Sequence, residues 1–387
     1  MPWINMSVHT SGFISPCCFT SKAQFRKIEE LNDTTLVDFL NSKHAIEFRK
    51  EMLSGNLPAA CQKCINDEKH TPSNSPRINY NNEALSVLTD DEISNVIDNI
   101  HDDGVITTEH LHFLDLRESN LCNLMCRICS PQFSSRIQAE EKTITLPKNT
   151  FRFSKRQDLT KQVKQIYFSG GEPILSEEHY ELLSILDPLT KLTYNTNFTL
   201  LKFKDKEILE YWKKFSTLRV LVSLDDIDDR LAYARFGSVF SEIVDNFEKF
   251  HIHLENSYEK IFISVSVSIF NILYLDKILS KFLELKLVKP ENIYLNFVGN
   301  HPFSVETFNE IVYDEAKAVV GRIKIPSIRA ELDDYLDSTM TKKVNPSAVV
   351  SAMDKIYQKD KIRNERFSET FPELSDLITK FLTETKV

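Results

Sequence analysis

Cys122, Cys126 and Cys129 fall within one eight-residue run, CNLMCRIC, spaced C-x3-C-x2-C. Three thiolates at this spacing hold three irons of a [4Fe-4S] cube, and the nearby fourth cysteine of ferredoxin-type runs is missing. One iron is then open to an outside ligand, as catalytic metal sites keep one position open. The competing chemistry is structural zinc with His110 or His112 as fourth ligand. Zinc-site cysteines usually come in CxxC pairs, and these histidines alternate with Leu111 and Phe113 as ordinary strand residues do.

The other four cysteines are Cys17 and Cys18, then Cys61 and Cys64; none follows Cys129. MPWINMSVHT has no basic stretch followed by an apolar one, so it does not read as a secretory leader. Clustered cysteines in such a chain read as metal ligands rather than disulfides, and seven cannot all pair.

A second chemical signal is Tyr167-Phe168-Ser169-Gly170-Gly171-Glu172-Pro173. Only 8 of 387 residues are glycine, against an average near 7%. A glycine pair at the end of a strand lets backbone approach a ligand closely, with carbonyls free to accept from an ammonium group. The plain alternative is a strand-to-helix turn.

These residues need elements to position them. Strand patterns fall at 110–117, 165–170, 192–197, 218–225, 261–269 and 293–298. Helical patterns lie between and after them at 131–142, 177–187, 205–215, 239–251 and 274–286. Six βα-type units predict a parallel α/β sheet, too few for an eight-stranded barrel but right for an open, TIM-like partial (βα)6 barrel. Ligand sites then sit at the carboxyl ends of the strands. The expected organisation is a cysteine-rich N-terminal domain over 1–70 and a linker with a helix over 71–107. The barrel follows over 108–304, with a helical C-terminal extension over 305–387. The linker reading rests on the Pro, Ser and Asn of 70–83, and a helical, acidic stretch is expected over 84–105.

Bulk properties narrow the partners. The net charge of −9 argues against non-specific duplex binding. No apolar run is long enough to cross a membrane, and a cytoplasmic location is expected. Lys148, Arg152, Lys155, Arg156, Lys161 and Lys164, with Phe151 and Phe153, form a basic stretch. It reads as a solvated loop before an anion-binding surface.

With the cysteine loop and FSGGEP in this order, the sequence resembles the radical S-adenosylmethionine (SAM) superfamily over about residues 108–304. Ile128 stands at the family's usual hydrophobic position beside the last cysteine. Tyr167, Ser169, Gly170, Gly171, Glu172 and Pro173 match the motif for the SAM amino group. Asn195 and Asn197 end the third strand, where the family often contacts SAM. Ser223 and Asp225 end the fourth, Arg235 stands where the SAM carboxylate or ribose is often reached, and Asn271 follows the fifth. Each of these strand-end residues also has a plain reading as a cap or turn residue. The resemblance implies reductive cleavage of SAM at the [4Fe-4S] cluster, a 5′-deoxyadenosyl radical and hydrogen abstraction from a substrate. It also implies a reductant such as flavodoxin or ferredoxin. No catalytic residue beyond these cofactor contacts is assigned.

Residues 1–70 resemble the auxiliary-cluster domains called Twitch and SPASM. Gly12-x4-Cys17, Phe48-Arg49 before Gly55 and Pro58, and Cys61-x2-Cys64 carry the likeness. These domains usually follow the barrel, whereas this one precedes it, and no cysteine lies upstream of the glycine. The implied second [4Fe-4S] cluster has Cys18 as fourth ligand or three cysteines and an open iron. Four-cysteine zinc is the alternative. The substrate reading is a peptide or protein. The same chemistry on a sugar, alcohol or nucleotide is the alternative, and an iron–sulfur electron carrier or sensor the non-enzymatic one.

Overall fold

The structure, a computed structural model, describes residues 2–18, 20, 25–70, 75–107, 110–142, 144, 146, 150–341 and 343–385. Lys148, positions 71–74 of the expected linker and positions 108–109 at the expected start of the barrel lie outside the described residues.

The described residues include twelve strands: β1 Asn5–Val8, β2 Ile14–Ser15, β3 Phe113–Leu116, β4 Met125–Cys126, β5 Gln165–Phe168, β6 Lys191–Thr196, β7 Lys202–Phe203, β8 Lys206–Glu207, β9 Leu218–Ser223, β10 Arg235–Phe236, β11 Ile261–Val267 and β12 Ile293–Phe297. The main sheet runs β12-β11-β9-β6-β5-β3-β1-β2. The six strands read from the sequence therefore lie side by side in chain order, as a partial βα barrel requires. Helices Ser135–Glu141, Glu177–Leu183, Ile208–Trp212, Phe240–His253 and Leu275–Glu284 occupy the crossovers.

The sheet has eight strands rather than six, because the N-terminal segment adds two. β1 pairs parallel with β3, and β2 pairs antiparallel with β1. Asn5 and Ser7 hide this strand in the sequence, but Met6 and Val8 are buried on its other side.

The chain divides into two compact units. The first holds residues 1–123, 130–196 and 202–220. Its register places Ser7, Asp115, Tyr167 and Thr193 in one row across β1, β3, β5 and β6. The rows on either side are Met6, Leu114, Ile166, Leu192 and Val8, Leu116, Phe168, Tyr194. Successive strand residues face opposite ways, so one face is polar and the other apolar. The apolar face packs on the crossover helices: Phe168 meets His179 edge-on at 4.8 Å, and Tyr194 meets Trp212 at 5.1 Å. The polar face is the one those helices leave uncovered.

The linker reading is corrected over part of its length. Pro76–Val87 is a helix that begins on its proline, where a missing N–H does no harm. Asp90–Asp98 is a second helix, opened by a capping box in which Thr89 and Glu92 bond each other's backbone. Of the residues that argued for a loop, Pro76, Asn79, Asn81 and Asn82 lie on a helix with little amphipathic contrast.

The second unit holds residues 124–129, 197–201 and 221–387. β11 and β12 pair parallel here. The helical extension is present as Asn309–Arg322, Pro326–Thr339, Pro346–Arg363 and Pro372–Glu384.

Candidate metal and cofactor site

The cysteine loop leaves the carboxyl end of β3. His110 and His112 lie before that strand, at its amino end, where His112 Nδ1 meets the Gln162 carbonyl at 3.3 Å. That placement opposes the mixed zinc site. Among the described residues, no three His, Cys, Asp or Glu side chains converge enough to hold a single metal ion.

In the first unit, Cys122 donates its backbone N–H to Ser135 Oγ at 3.3 Å. The loop carrying Gly170 and Gly171 crosses the segment just before this cysteine. Gly171 N donates to Ser119 O at 3.0 Å, and Glu172 N to Leu121 O at 2.7 Å. A Cβ on Gly171 would stand 2.2 Å from Leu121 O, and one on Gly170 3.0 Å from Ser119 O. Gly170 also has a φ of +108°, which side-chain-bearing residues avoid. The glycine pair is thus needed first for backbone-to-backbone contact with the lead-in to the cysteine loop, a reason the spacing did not reveal.

Glu172 is buried, accepts from Ile174 N at 3.4 Å, and receives Thr196 Oγ1 at 2.8 Å. It closes the turn into Pro173–Leu175 and ties it to the end of β6. Ser169 Oγ, Thr193 Oγ1 and Asn195 Oδ1 are buried with no hydrogen-bond partner among the described residues. Buried polar atoms rarely go unpaired, so these three, on the polar face of β5 and β6, are chemically suited to a polar ligand. Tyr167 is on the polar face, and burial raises its phenol above the usual range. Asn197 Oδ1 accepts from Thr199 N and Oγ1 at 3.0 and 2.7 Å, a turn role.

In the second unit, Arg235–Phe236 pairs antiparallel with Met125–Cys126. Arg235 donates to Asp225 Oδ2 at 2.8 Å, and its Nη1 lies 3.7 Å from Cys126 Sγ. Asp225 Oδ1 accepts from Ser266 N, and Asn271 donates to the Asp225 carbonyl. Burial raises the Cys126 thiol, and Arg235 opposes that rise by favouring the thiolate. Asp225, Arg235 and Asn271, read separately in the sequence, form one connected group here. Ser223 and Ile128 are half-buried at the end of β9 and beside Cys129.

The N-terminal cysteines divide. Cys17, Cys61 and Cys64 line one largely apolar hollow with Phe48, Met52 and Tyr80. Burial, then the neighbouring Cys17 and Cys64, push the Cys61 thiol up to about 11. Cys18 Sγ instead meets Tyr80 Oη at 3.3 Å. Burial first, then Asp115, push its thiol up to about 12. Of the basic stretch, Arg152 pairs with Glu178, Arg156 with Asp158, and Lys164 with Glu92. Three of the five described basic residues of the stretch are thus paired locally.

Parallel strands in βα order, a C-x3-C-x2-C loop after β3 and an N-terminal cysteine hollow agree with the class that the family matches give. Residues 119–270 match the radical SAM superfamily, and residues 1–65 match the iron–sulfur cluster-binding domain SPASM. The chain thus carries a radical SAM domain over 119–270 with an iron–sulfur cluster-binding domain ahead of it in sequence, and these two matches support [4Fe-4S] clusters and SAM as cofactors. It is 30% identical over 132 residues to a probable GTP 3′,8-cyclase of Methanocella arvoryzae, covering 34% of this chain and 40% of that one. It is 25% identical over 154 residues to the GTP 3′,8-cyclase of Mannheimia succiniciproducens, covering 39% and 43%. It therefore matches less than half the length of these relatives. Among solved structures, anSMEcpe with bound AdoMet aligns at 19% identity and a TM-score of 0.39, covering 55% of this chain and 59% of that one. Streptococcus suis SuiB bound to SAM aligns at 17% and 0.39, covering 62% and 56%. No helix among the described residues is long and apolar enough to cross a membrane.

Proposed function

We propose that this protein is an enzyme that uses SAM to abstract hydrogen from a substrate held on the polar face of the sheet. The observation that carries the reading is the set of buried polar atoms with no partner among the described residues, Ser169 Oγ, Thr193 Oγ1 and Asn195 Oδ1, which alternation places on the polar face of β5 and β6 in the unit that carries the glycine loop. When bound, the cluster and SAM supply one-electron reductive cleavage to a 5′-deoxyadenosyl radical, chemistry that belongs to the cofactors.

The chain's own residues bind and orient. Cys122, Cys126 and Cys129 hold the cluster and leave one position open. Gly170, Gly171, Glu172 and Pro173 set the backbone that receives the SAM amino group, with Ser169, Asn195 and Tyr167 beside it. Asp225 fixes Arg235, which stabilises charge at Cys126 and offers a guanidinium to the SAM carboxylate or ribose. Ser223, Asn197 and Ile128 complete the rim. Cys17, Cys61 and Cys64 hold the auxiliary cluster, with Cys18 turned to Tyr80. The four segments 1–70, 71–107, 108–304 and 305–387 are kept as functional divisions, although β1 joins the sheet.

A peptide or protein is the first substrate reading, supported by the SPASM match. A small polar molecule is the second, favoured by relatives named GTP 3′,8-cyclase. A small electron-carrier protein, such as a flavodoxin or ferredoxin, is the proposed reductant.

The test is anaerobic reduction with SAM, quantifying 5′-deoxyadenosine with and without GTP, beside Cys126→Ala. Formation lost in Cys126→Ala supports the activity, and stimulation by GTP selects the second substrate reading. A protein with a full cluster that neither binds nor cleaves SAM refutes the proposal.

A further inference from the structure

Arg127 lies between the second and third cysteines of the motif, and its side chain is only 1% exposed. A buried guanidinium is tolerated only when paired and hydrogen-bonded. Its Nη2 donates to Asp360 at 2.6 Å and to Glu365 at 2.7 Å. Its Nε donates to the Tyr233 carbonyl at 3.1 Å, and the guanidinium lies 3.6 Å from the centre of the Tyr233 ring. Asp360 in turn accepts from Tyr233 Oη and from Phe367 N, each at 2.7 Å. Two residues earlier in the loop's backbone, Arg363 donates to the Met125 carbonyl at 2.9 Å and stacks over Phe236.

The segment Met125–Arg127 is therefore held by three guanidinium groups, those of Arg127, Arg235 and Arg363, and three carboxylates, those of Asp225, Asp360 and Glu365. Asp360, Arg363 and Glu365 belong to the C-terminal extension, whose described residues contribute no strand to the sheet and which lies outside both family matches. That extension otherwise has no assigned role.

We propose that the end of the Pro346–Arg363 helix and the turn after it form a positioning strap for the cysteine loop, setting both its shape and the charge felt at Cys126. The proposal rests on the reading that Cys122, Cys126 and Cys129 bind a cluster. Asp360, Arg363 and Glu365 are positioning residues that act through Arg127 and the Met125 carbonyl. Groups at this remove from a metal tune affinity by about 10–100-fold and shift potential through the net charge they leave behind.

The experiment compares Glu365→Gln, Asp360→Asn and Asp360→Glu in the full chain carrying both clusters at pH 8. Iron loss to a chelator and the midpoint potential are read on the spectroscopic signal that Cys126→Ala abolishes. Glu365→Gln is expected to keep its circular dichroism, release that cluster's iron about ten-fold faster and raise its potential, because a negative charge is gone. Asp360→Asn shifts both readouts in the same direction and further, and Asp360→Glu restores them in part. The N-terminal cluster's signal stays unchanged. A folded Glu365→Gln protein with wild-type release rate and potential overturns the strap, and does so alone if Asp360→Asn does not fold. If Cys126→Ala abolishes no signal, the cluster reading has failed instead.

Discussion

At Gly171 the margin is a single methyl group. The space a Cβ would fill is taken by backbone, with Leu121 O at 2.2 Å, and backbone does not swing aside as a side chain does. Gly171→Ala is expected to destabilise the protein by about 2 kcal/mol and to weaken SAM binding by moving both loops. Thermal melting and calorimetric titration with SAM read the two effects. Gly321→Ala is the control, since nothing lies within 4 Å of its Cβ position and it sits in the helix Asn309–Arg322. It should be neutral or slightly stabilising. A second residue-scale effect comes from His179, buried beneath Phe168 and bonded to Tyr194 Oη at 2.7 Å. Burial lowers its folded pKa from 6.5 to about 3. Above pH 6.5 the ring is neutral in both states. Below it the unfolded chain takes up a proton that the folded one refuses, so stability is lost between 6.5 and 3. The slope approaches about 1.4 kcal/mol per pH unit. His9, lowered to about 4 chiefly by burial, acts in the same direction. Urea denaturation at pH 7.5 and 5.5 should show a smaller loss in His179→Gln than in the wild type; equal losses would remove His179 from the account.

At the element scale, legibility followed length and contrast. All six barrel strands were readable because runs such as LRVLVS and IFISVSV are apolar or alternating and lie between helical patterns. β1 was not, since NMSV is four residues long and its polar half faces the same way as Asp115. The helix Pro76–Val87 was missed because a proline start and several Asn residues look like a loop when no apolar stripe accompanies them. The site divides in the same way. Spacing exposes the cysteines and the glycine pair, because their chemistry is local. It does not expose Asp360, Arg363 or Glu365, which meet the loop only across more than two hundred residues of chain. Nor does it separate Cys18 from Cys17. Adjacent residues look alike in a motif, yet one lines the hollow and the other meets Tyr80.

At the scale of the whole molecule, the seven cysteines come to three addresses, and that arithmetic can be measured. Two [4Fe-4S] clusters give about eight irons and eight sulfides per chain. Cys126→Ala and Cys61→Ala should each remove about four irons, because each breaks one set and leaves the other intact. Cys18→Ala should keep about eight, since Cys18 does not line the hollow and its thiol meets Tyr80 Oη. The count is made by iron, zinc and acid-labile sulfide analysis of anaerobically reconstituted full-length protein, with electron paramagnetic resonance of the reduced state. A fall to about four irons in Cys18→Ala would make that cysteine the fourth ligand and close the auxiliary cluster to outside donors. One zinc without its share of sulfide would move Cys17, Cys61 and Cys64 from redox chemistry to a structural site. Retention of eight irons leaves a three-thiolate auxiliary cluster whose remaining iron is open to a donor from solvent or substrate.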